Sequence, residues 1–209
     1  AAADPAPTTR PGADADLDAL AALLRERRTL VLSGAGVSTD SGIPDYRGPD
    51  SKPRSPMRYQ TFVRDEEARR RYWARSSVGW PLTARARPND GHRALARLER
   101  RGAACGVLTQ NVDGLHQQGG SRRVLELHGS LATVVCLGCG VRSARAVLQE
   151  RLRAANPDFS ARTDDVAPDG DVEIPDAWTR GFRVPACLAC GGVLKPDVVF
   201  FGENVPRER

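Results

Sequence analysis

A chain of 209 residues and 22.6 kDa can build one large or two small domains and needs no disulfide staple to hold a core. With 40% hydrophobic, 5% aromatic and 27% charged residues, that core must come from Ala, Val and Leu, and no run reaches the roughly 18 apolar residues of a membrane span. The formal charge of +5 rests almost wholly on arginine, and residues 52–101 hold 14 bases against 5 acids, so this stretch is expected to face an anion or an acidic surface.

Residues 1–15, rich in Ala and Pro and without an apolar leader segment, read as a disordered arm. Residues 16–28 place Leu17, Leu20 and Leu24 on one helical face, with Asp14 or Asp16 available as the cap. A short apolar run over 29–32 then meets Ser33-Gly34-Ala35-Gly36, the strand, glycine turn and helix order of a nucleotide-binding α/β unit. Further helices are predicted over 66–75 and over 88–101, the second with Ala94, Leu95 and Leu98 inward and Gly102 as its stop. A buried strand follows over 103–109, a helix over 141–155, and then a polar, Pro- and Asp-rich stretch over 156–185 with little periodicity. Residues 194–201 (LKPDVVFF) read as a strand too hydrophobic for a bare sheet edge, so the chain is expected to be truncated soon after it.

Four of the five cysteines carry the most specific spacing. Cys136-Leu-Gly-Cys139 and Cys187-Leu-Ala-Cys190 are two C-x-x-C knuckles, each followed by a glycine that lets the backbone turn. Four thiolates make a closed coordination sphere, so one structural Zn2+ is expected and no metal-activated water. Cys105, inside a predicted strand, reads as a small core residue. The odd total and the missing leader argue against a disulfide framework and for a cytoplasmic protein.

Two loops at strand ends carry the remaining chemistry. Gly34, Ala35 and Gly36 permit close approach of a pyrophosphate, although Thr39 stands where the dinucleotide fingerprint has its third glycine, so a plain tight turn stays open. The loop continues through Ile43, Pro44, Asp45, Tyr46 and Arg47, longer than a mere connection needs. Thr109-Gln110-Asn111-Val112-Asp113 begins at the carboxyl end of the second strand, where open α/β sheets place ligands and where amide and carboxylate side chains can meet ribose hydroxyls; an Asx-rich strand exit is the alternative. His128 has the side chain suited to general base work near neutrality, while His92 and His116 read as capping or packing residues.

In order along the chain, GAGVSTDSGIPDYR, PNDGHRAL, TQNVDGLH, LHGS, the two knuckles and KPDVVFFGENVP resemble the sirtuins, the NAD-dependent protein deacylases, from about residue 29 onward. Arg71-Tyr72-Trp73-Ala74-Arg75 and Val78-Gly79-Trp80-Pro81 further resemble the branch with lipoamidase and ADP-ribosyltransferase activity and its bacterial relatives. The resemblance implies an α/β fold in which a Rossmann-like parallel sheet domain, its first part 16–130, carries an inserted zinc ribbon, 131–194. Residues 195–209 would then be a return strand and substrate loop of the large domain, with later strands of that sheet missing.

It also implies that Gly34, Ala35, Gly36 and Ser38 hold the pyrophosphate of NAD, that Ile43, Pro44, Asp45, Tyr46 and Arg47 lie on a cofactor loop, and that Gln110, Asn111 and Asp113 surround the nicotinamide and its ribose. His128 would be the base as the acyl group of an acyl-lysine protein or peptide passes to ADP-ribose. Val199, Phe201, Gly202, Glu203 and Asn204 match the loop on which the peptide adds as a strand. Tyr72 and Arg75, three residues apart on a helix, resemble a pair that reads a carboxylate at the acyl terminus, a merely solvated basic face of Arg69, Arg70, Arg71 and Arg75 being the alternative. Mono-ADP-ribosyl transfer and a non-catalytic zinc-bearing module are the competing readings. Nucleic-acid binding is disfavoured because aromatics do not interleave the arginines in a repeated pattern.

Overall fold

The computed structural model describes residues 13–49, 51, 55–163 and 166–207, so most of the arm expected over 1–15 lies outside the described residues. α1 (Ala13–Glu26) forms where the leucine spacing predicts it, yet Leu17, Leu20 and Leu23 are exposed on it. β1 (Thr29–Ser33), β2 (Ala104–Thr109) and β3 (Val124–Glu126) make a parallel sheet in the order β1-β2-β3. The central strand buries Ala104, Val107 and Thr109, while alternate residues of β1, Leu30 and Leu32, are 61% and 64% exposed. After β1 the chain enters a short 3-10 helix, Ala35–Ser41, rather than the α-helix expected after a glycine turn. Hydroxyl and carboxylate residues over 38–41 compete with helical bonding: the Thr39 hydroxyl donates to the Gly36 carbonyl.

α2 (Tyr59–Arg64) and α3 (Glu66–Arg85) join at Asp65, whose carboxylate accepts from the N–H groups of Glu67 and Ala68 and so caps α3. α4 (Asp90–Arg100) is capped reciprocally by Asn89 and His92 and stopped by Gly102 at φ 76°. Its fully buried residues are His92 and Ala96, with the expected Ala94, Leu95 and Leu98 only partly covered. α5 (Leu115–Gln118) follows β2.

β4 (Gly129–Cys136) is the centre of a second, antiparallel sheet, between β5 (Arg142–Ala144) and β6 (Leu194–Val198). The helix predicted over 141–155 is therefore two elements, β5 and α6 (Arg145–Ala155), because the turn at the first knuckle folds residues 142–144 back onto β4. The strand expected to return to the parallel sheet pairs with β4 and ends at Val198; beyond it Phe201 makes a single parallel bridge to Arg58. The segment 156–185, expected to be a polar loop, holds α7 (Asp176–Thr179) and buries Val166, Val172 and Ile174 against Val78 and Leu82 of α3.

α3 runs well past residue 75, through Pro81, and the reason lies outside the helix. Pro81 has no N–H for the Ser77 carbonyl one turn back. The Gln149 side chain of α6 donates to that oxygen at 2.8 Å, and buried Arg145 donates to the neighbouring Ser76 carbonyl while lying between the rings of Trp73 and Trp80. The main core fills the space between α3, α6 and the antiparallel sheet, with Phe62, Trp73, Val134, Leu148, Leu152 and Phe200 among its members. Among the described residues no helix is long and apolar enough to cross a membrane.

Candidate active site and metal centre

The knuckles converge at one end of the antiparallel sheet. Gly140 and Gly191, at φ 72° and 73°, turn the chain after each knuckle and bring the Sγ atoms of Cys136, Cys139, Cys187 and Cys190 within 4.8 Å of one another. Cys136 and Cys190 are 3.5 Å apart and Cys139 and Cys187 3.8 Å. Four sulfurs at about 2.3 Å from a tetrahedral zinc stand about 3.8 Å from each other, so the donor set fits one Zn2+ with no open position. The backbone N–H of Cys139, opposed by desolvation and aided by the N–H of Gly138, draws the Cys136 thiol down to about 6, toward the thiolate that a metal needs.

A cavity of about 820 Å³ opens between the carboxyl ends of the parallel strands and the segment after β6. It brings together Ala35, Gly36, Ser38, Ile43, Asp45, Tyr46 and Arg47 from the first loop, Gln110, Asn111 and Asp113 from the second, His128, and Val199, Phe201 and Glu203. Gly34, Pro44, Gly202 and Asn204 are not on its wall. Nothing lies within 4 Å of where a Cβ would stand on Gly34 or Gly36, so the glycine loop presents open backbone, the cradle a pyrophosphate requires.

Ser38 is fully buried at the centre of this wall, donating to Asp113 at 2.7 Å and accepting from the Asn111 amide at 3.1 Å. Asp113 also accepts the N–H of Leu115, and the Asn111 N–H donates to the Thr109 hydroxyl. Behind them the Ser33 hydroxyl donates to Thr109 and meets His116 Nε2 at 2.8 Å, with the His92 ring edge-on to His116. Burial lowers the pKa of both histidines and keeps them neutral supports of the network. His92 and His116 are the capping and packing residues expected, whereas Ser33 and Thr109 went unread as supports because each is far from its partner along the chain.

His128 lies between β3 and β4, where the two sheets meet. Its Nδ1 is 3.0 Å from the Gln110 carbonyl, which only accepts, so Nδ1 carries the proton and Nε2 is left as the basic nitrogen. The Asp45 carboxylate takes the Gly48 N–H and shapes the cofactor loop, and the Tyr46 ring meets Phe201 edge-on at 6.1 Å, joining that loop to the segment after β6. Pro168 and Asp169 also line the cavity; nothing in the irregular 156–185 stretch announced them.

Tyr72 and Arg75 stand apart from this wall. Both line a separate cavity of about 280 Å³ that shares only Pro56 and Met57 with the large one. The Tyr72 ring packs on Phe62, Trp73 and Phe200 in the core, and burial holds its hydroxyl well above the usual phenol range. Arg75 donates to the Val172 carbonyl at 2.5 Å and pairs with Asp171 at 3.2 Å and Glu173 at 3.7 Å. In this structure its guanidinium is engaged by carboxylates of this chain and braces residues 171–173 beside the smaller cavity.

A family profile described as the Sir2 family matches residues 34–209. The chain is 57% identical over 206 residues to NAD-dependent protein deacetylase 1 of Streptomyces coelicolor, covering 95% of this chain and 69% of that protein. It is 50% identical over 184 residues to the human mitochondrial NAD-dependent protein lipoamidase sirtuin-4, covering 86% of this chain and 59% of that one. A solved structure of Sir2 with p53 peptide and NAD+ superposes with a TM-score of 0.70 at 33% identity, over 92% of this chain and 67% of the other. The parallel sheet with its cysteine-bearing antiparallel partner is the Rossmann-like sirtuin fold, and the chain belongs to the Sir2 family.

Proposed function

We propose that the chain carries the catalytic site of an NAD-dependent protein-lysine deacylase. The carrying observation is that the glycine loop, the Ser38–Asn111–Asp113 network, His128 and the segment after β6 all face one cavity. NAD, when bound, supplies the ribose that accepts the acyl group and releases nicotinamide. Gly34 to Gly36 offer backbone to its phosphates, while Gln110, Asn111 and Asp113 hold the nicotinamide and ribose end. His128 Nε2 receives a proton from a ribose hydroxyl, its ring fixed by the Gln110 carbonyl. The acyl-lysine peptide lies along residues 199–204 as an added strand. The division into a nucleotide-binding unit over 16–130, a zinc unit over 131–194 and a substrate segment over 195–209 belongs to this reading. So does a cytoplasmic setting, whose reducing conditions keep the zinc thiolates available.

The test is mass spectrometry of products from NAD and a panel of acyl-lysine peptides. The expected outcome is nicotinamide and O-acyl-ADP-ribose, with His128→Ala at least about a hundredfold slower at an unchanged melting temperature. ADP-ribosylated protein without deacylated peptide would favour mono-ADP-ribosyl transfer, and peptide binding without nicotinamide release would favour a non-catalytic module.

A further inference from the structure

Lys195 is 3% exposed, and its ammonium sits within the turn that follows β6. Nζ pairs with Glu203 Oε2 at 3.0 Å, donates to the carbonyls of Val198 at 2.5 Å and Pro196 at 3.3 Å, and stands 4.7 Å from the centre of the Phe200 ring. Glu203 Oε2 takes the Phe200 N–H as well, at 2.8 Å, and the Glu203 N–H returns to the Phe200 carbonyl. One carboxylate oxygen therefore ties both ends of the turn, while Gly202 at φ 78° lets it close. Burying an ammonium and a carboxylate costs desolvation that an apolar pair would not, so the pair contributes more to defining a conformation than to stability.

The conformation it defines is that of the cavity's far wall. The Val199 N–H donates to the His128 carbonyl at 2.9 Å, and the Phe201 carbonyl accepts from Tyr59. Residues 199–201 are thus held at one end by the backbone of the candidate base and at the other by α2, with Lys195 beneath. Resting on the deacylase reading above, we propose that Lys195 is a positioning residue for peptide recognition: its ion pair with Glu203 holds residues 199–203 as the ledge on which the acyl-lysine strand is seated. Lys195 itself is not on the cavity wall, so it acts through the turn.

The experiment compares Lys195→Met, Glu203→Ala and Glu203→Gln, the last of which keeps an acceptor oxygen for the Phe200 N–H. Hydrogen exchange without NAD or peptide reads the turn directly: the Val199 and Phe200 amides are expected to exchange at least about tenfold faster in Lys195→Met and Glu203→Ala. With NAD present, Lys195→Met is expected to raise KM for the acyl peptide at least about tenfold while kcat and KM for NAD stay within about threefold, whereas Glu203→Ala is read by exchange alone because Glu203 itself lines the cavity. Glu203→Gln keeps the acceptor for the Phe200 N–H but removes the charge pairing, so it is expected to keep the faster exchange of Lys195→Met; wild-type exchange in Glu203→Gln would show that the hydrogen bond alone holds the turn and would overturn the ion-pair proposal. Glu203→Ala, at a side chain 22% exposed, carries the exchange test should Lys195→Met fail to fold. Unchanged exchange, or a fall in kcat with peptide KM intact, would overturn the proposal. A wild-type chain that binds no acyl peptide would take down the deacylase reading and this one together, whereas normal wild-type turnover with unchanged variants sinks this one alone.

Discussion

The two sheets differ in what most of their buried polar side chains serve, ion pairs such as Lys195–Glu203 and Arg75–Asp171 aside. Around the antiparallel sheet they serve the backbone: Gln149 and Arg145 satisfy carbonyls of α3, Lys195 satisfies carbonyls of its own turn, and Asp171 takes the N–H of Val172. At the end of the parallel sheet they serve one another, Ser38 with Asp113 and Asn111, and Ser33 with Thr109 and His116. Side chain to side chain bonds are the minority class in folded proteins, and a cluster of them beside open glycine backbone is a surface prepared for a polar ligand rather than a repair of the fold. Apolar packing follows the same division. The aromatic core lies on the antiparallel side. The aromatic core and the side-chain network thus lie beside different sheets, and His128 sits at the join.

The strongest way to break that division is to remove the metal. Structural zinc contributes on the order of 10 kcal/mol to small metal-bearing units, so Cys136→Ser or a strong chelator is expected to release one zinc per chain and unfold the antiparallel sheet. Trp73, whose indole donates to the Leu194 carbonyl, reports this by fluorescence together with metal analysis. Metal-free protein with an unaltered thermal transition would mean that the thiol cluster is not structural.

A smaller effect tests whether the cross-tie from α6 is what admits Pro81. Gln149→Leu orphans the Ser77 carbonyl and is expected to cost about 1–3 kcal/mol in denaturant unfolding. Adding Pro81→Ala restores an N–H inside the helix and is expected to return most of that loss; simple additivity of the two changes would refute the coupling.

Arg75→Met sharpens the role of the clamp on residues 171–173. It is expected to lower activity about equally on acetyl-, octanoyl-, succinyl- and glutaryl-lysine, within about threefold of each other, because the guanidinium braces the loop behind the cavity. A loss confined to the acidic substrates would instead make Arg75 a reader of the acyl terminus.

The gentlest probe is pH, and the two regions are expected to answer with opposite signs. Burial pushes Asp171 up to about 7 against the pull of Arg75, with Asp169 adding to the rise. The folded chain thus keeps a proton that the unfolded chain sheds near pH 4, and this contribution to stability is lost as pH rises from about 4 to about 7. His92 and His116 are lowered by burial, so the unfolded chain binds protons that the folded one refuses, and their contribution is lost as pH falls through about 6.5. Hydrogen exchange at about pH 5.5 and 7.5, corrected for intrinsic rates, is expected to show residues 166–174 less protected at the higher pH and β1–β2 less protected at the lower. Asp171→Asn should flatten the first slope only.

What the sequence determined by itself was local. Two C-x-x-C knuckles with trailing glycines specify a tetrahedral thiolate site because the turn and the ligands lie within a few residues of one another. The glycine loop, the Gln110–Asp113 strand exit and His128 stood out by residue type and place, with a plain turn and an Asx-rich exit still open; the resemblance gave them roles, and the fold gathers them on one cavity. What only the tertiary structure decided depends on groups distant in sequence. α3 passes Pro81 because Gln149 lies across it, and β6 joins β4 because their side chains share one core. Residues 166–174 are buried because Arg75 and Gly79 receive them; a Cβ on Gly79 would stand 2.2 Å from the Gly170 carbonyl oxygen. The same proximity gives Arg75 partners in Asp171 and Glu173 that its helix position alone did not name. A charge on a helix face is fixed by sequence, but its partner is chosen by whatever the fold brings within about 4 Å.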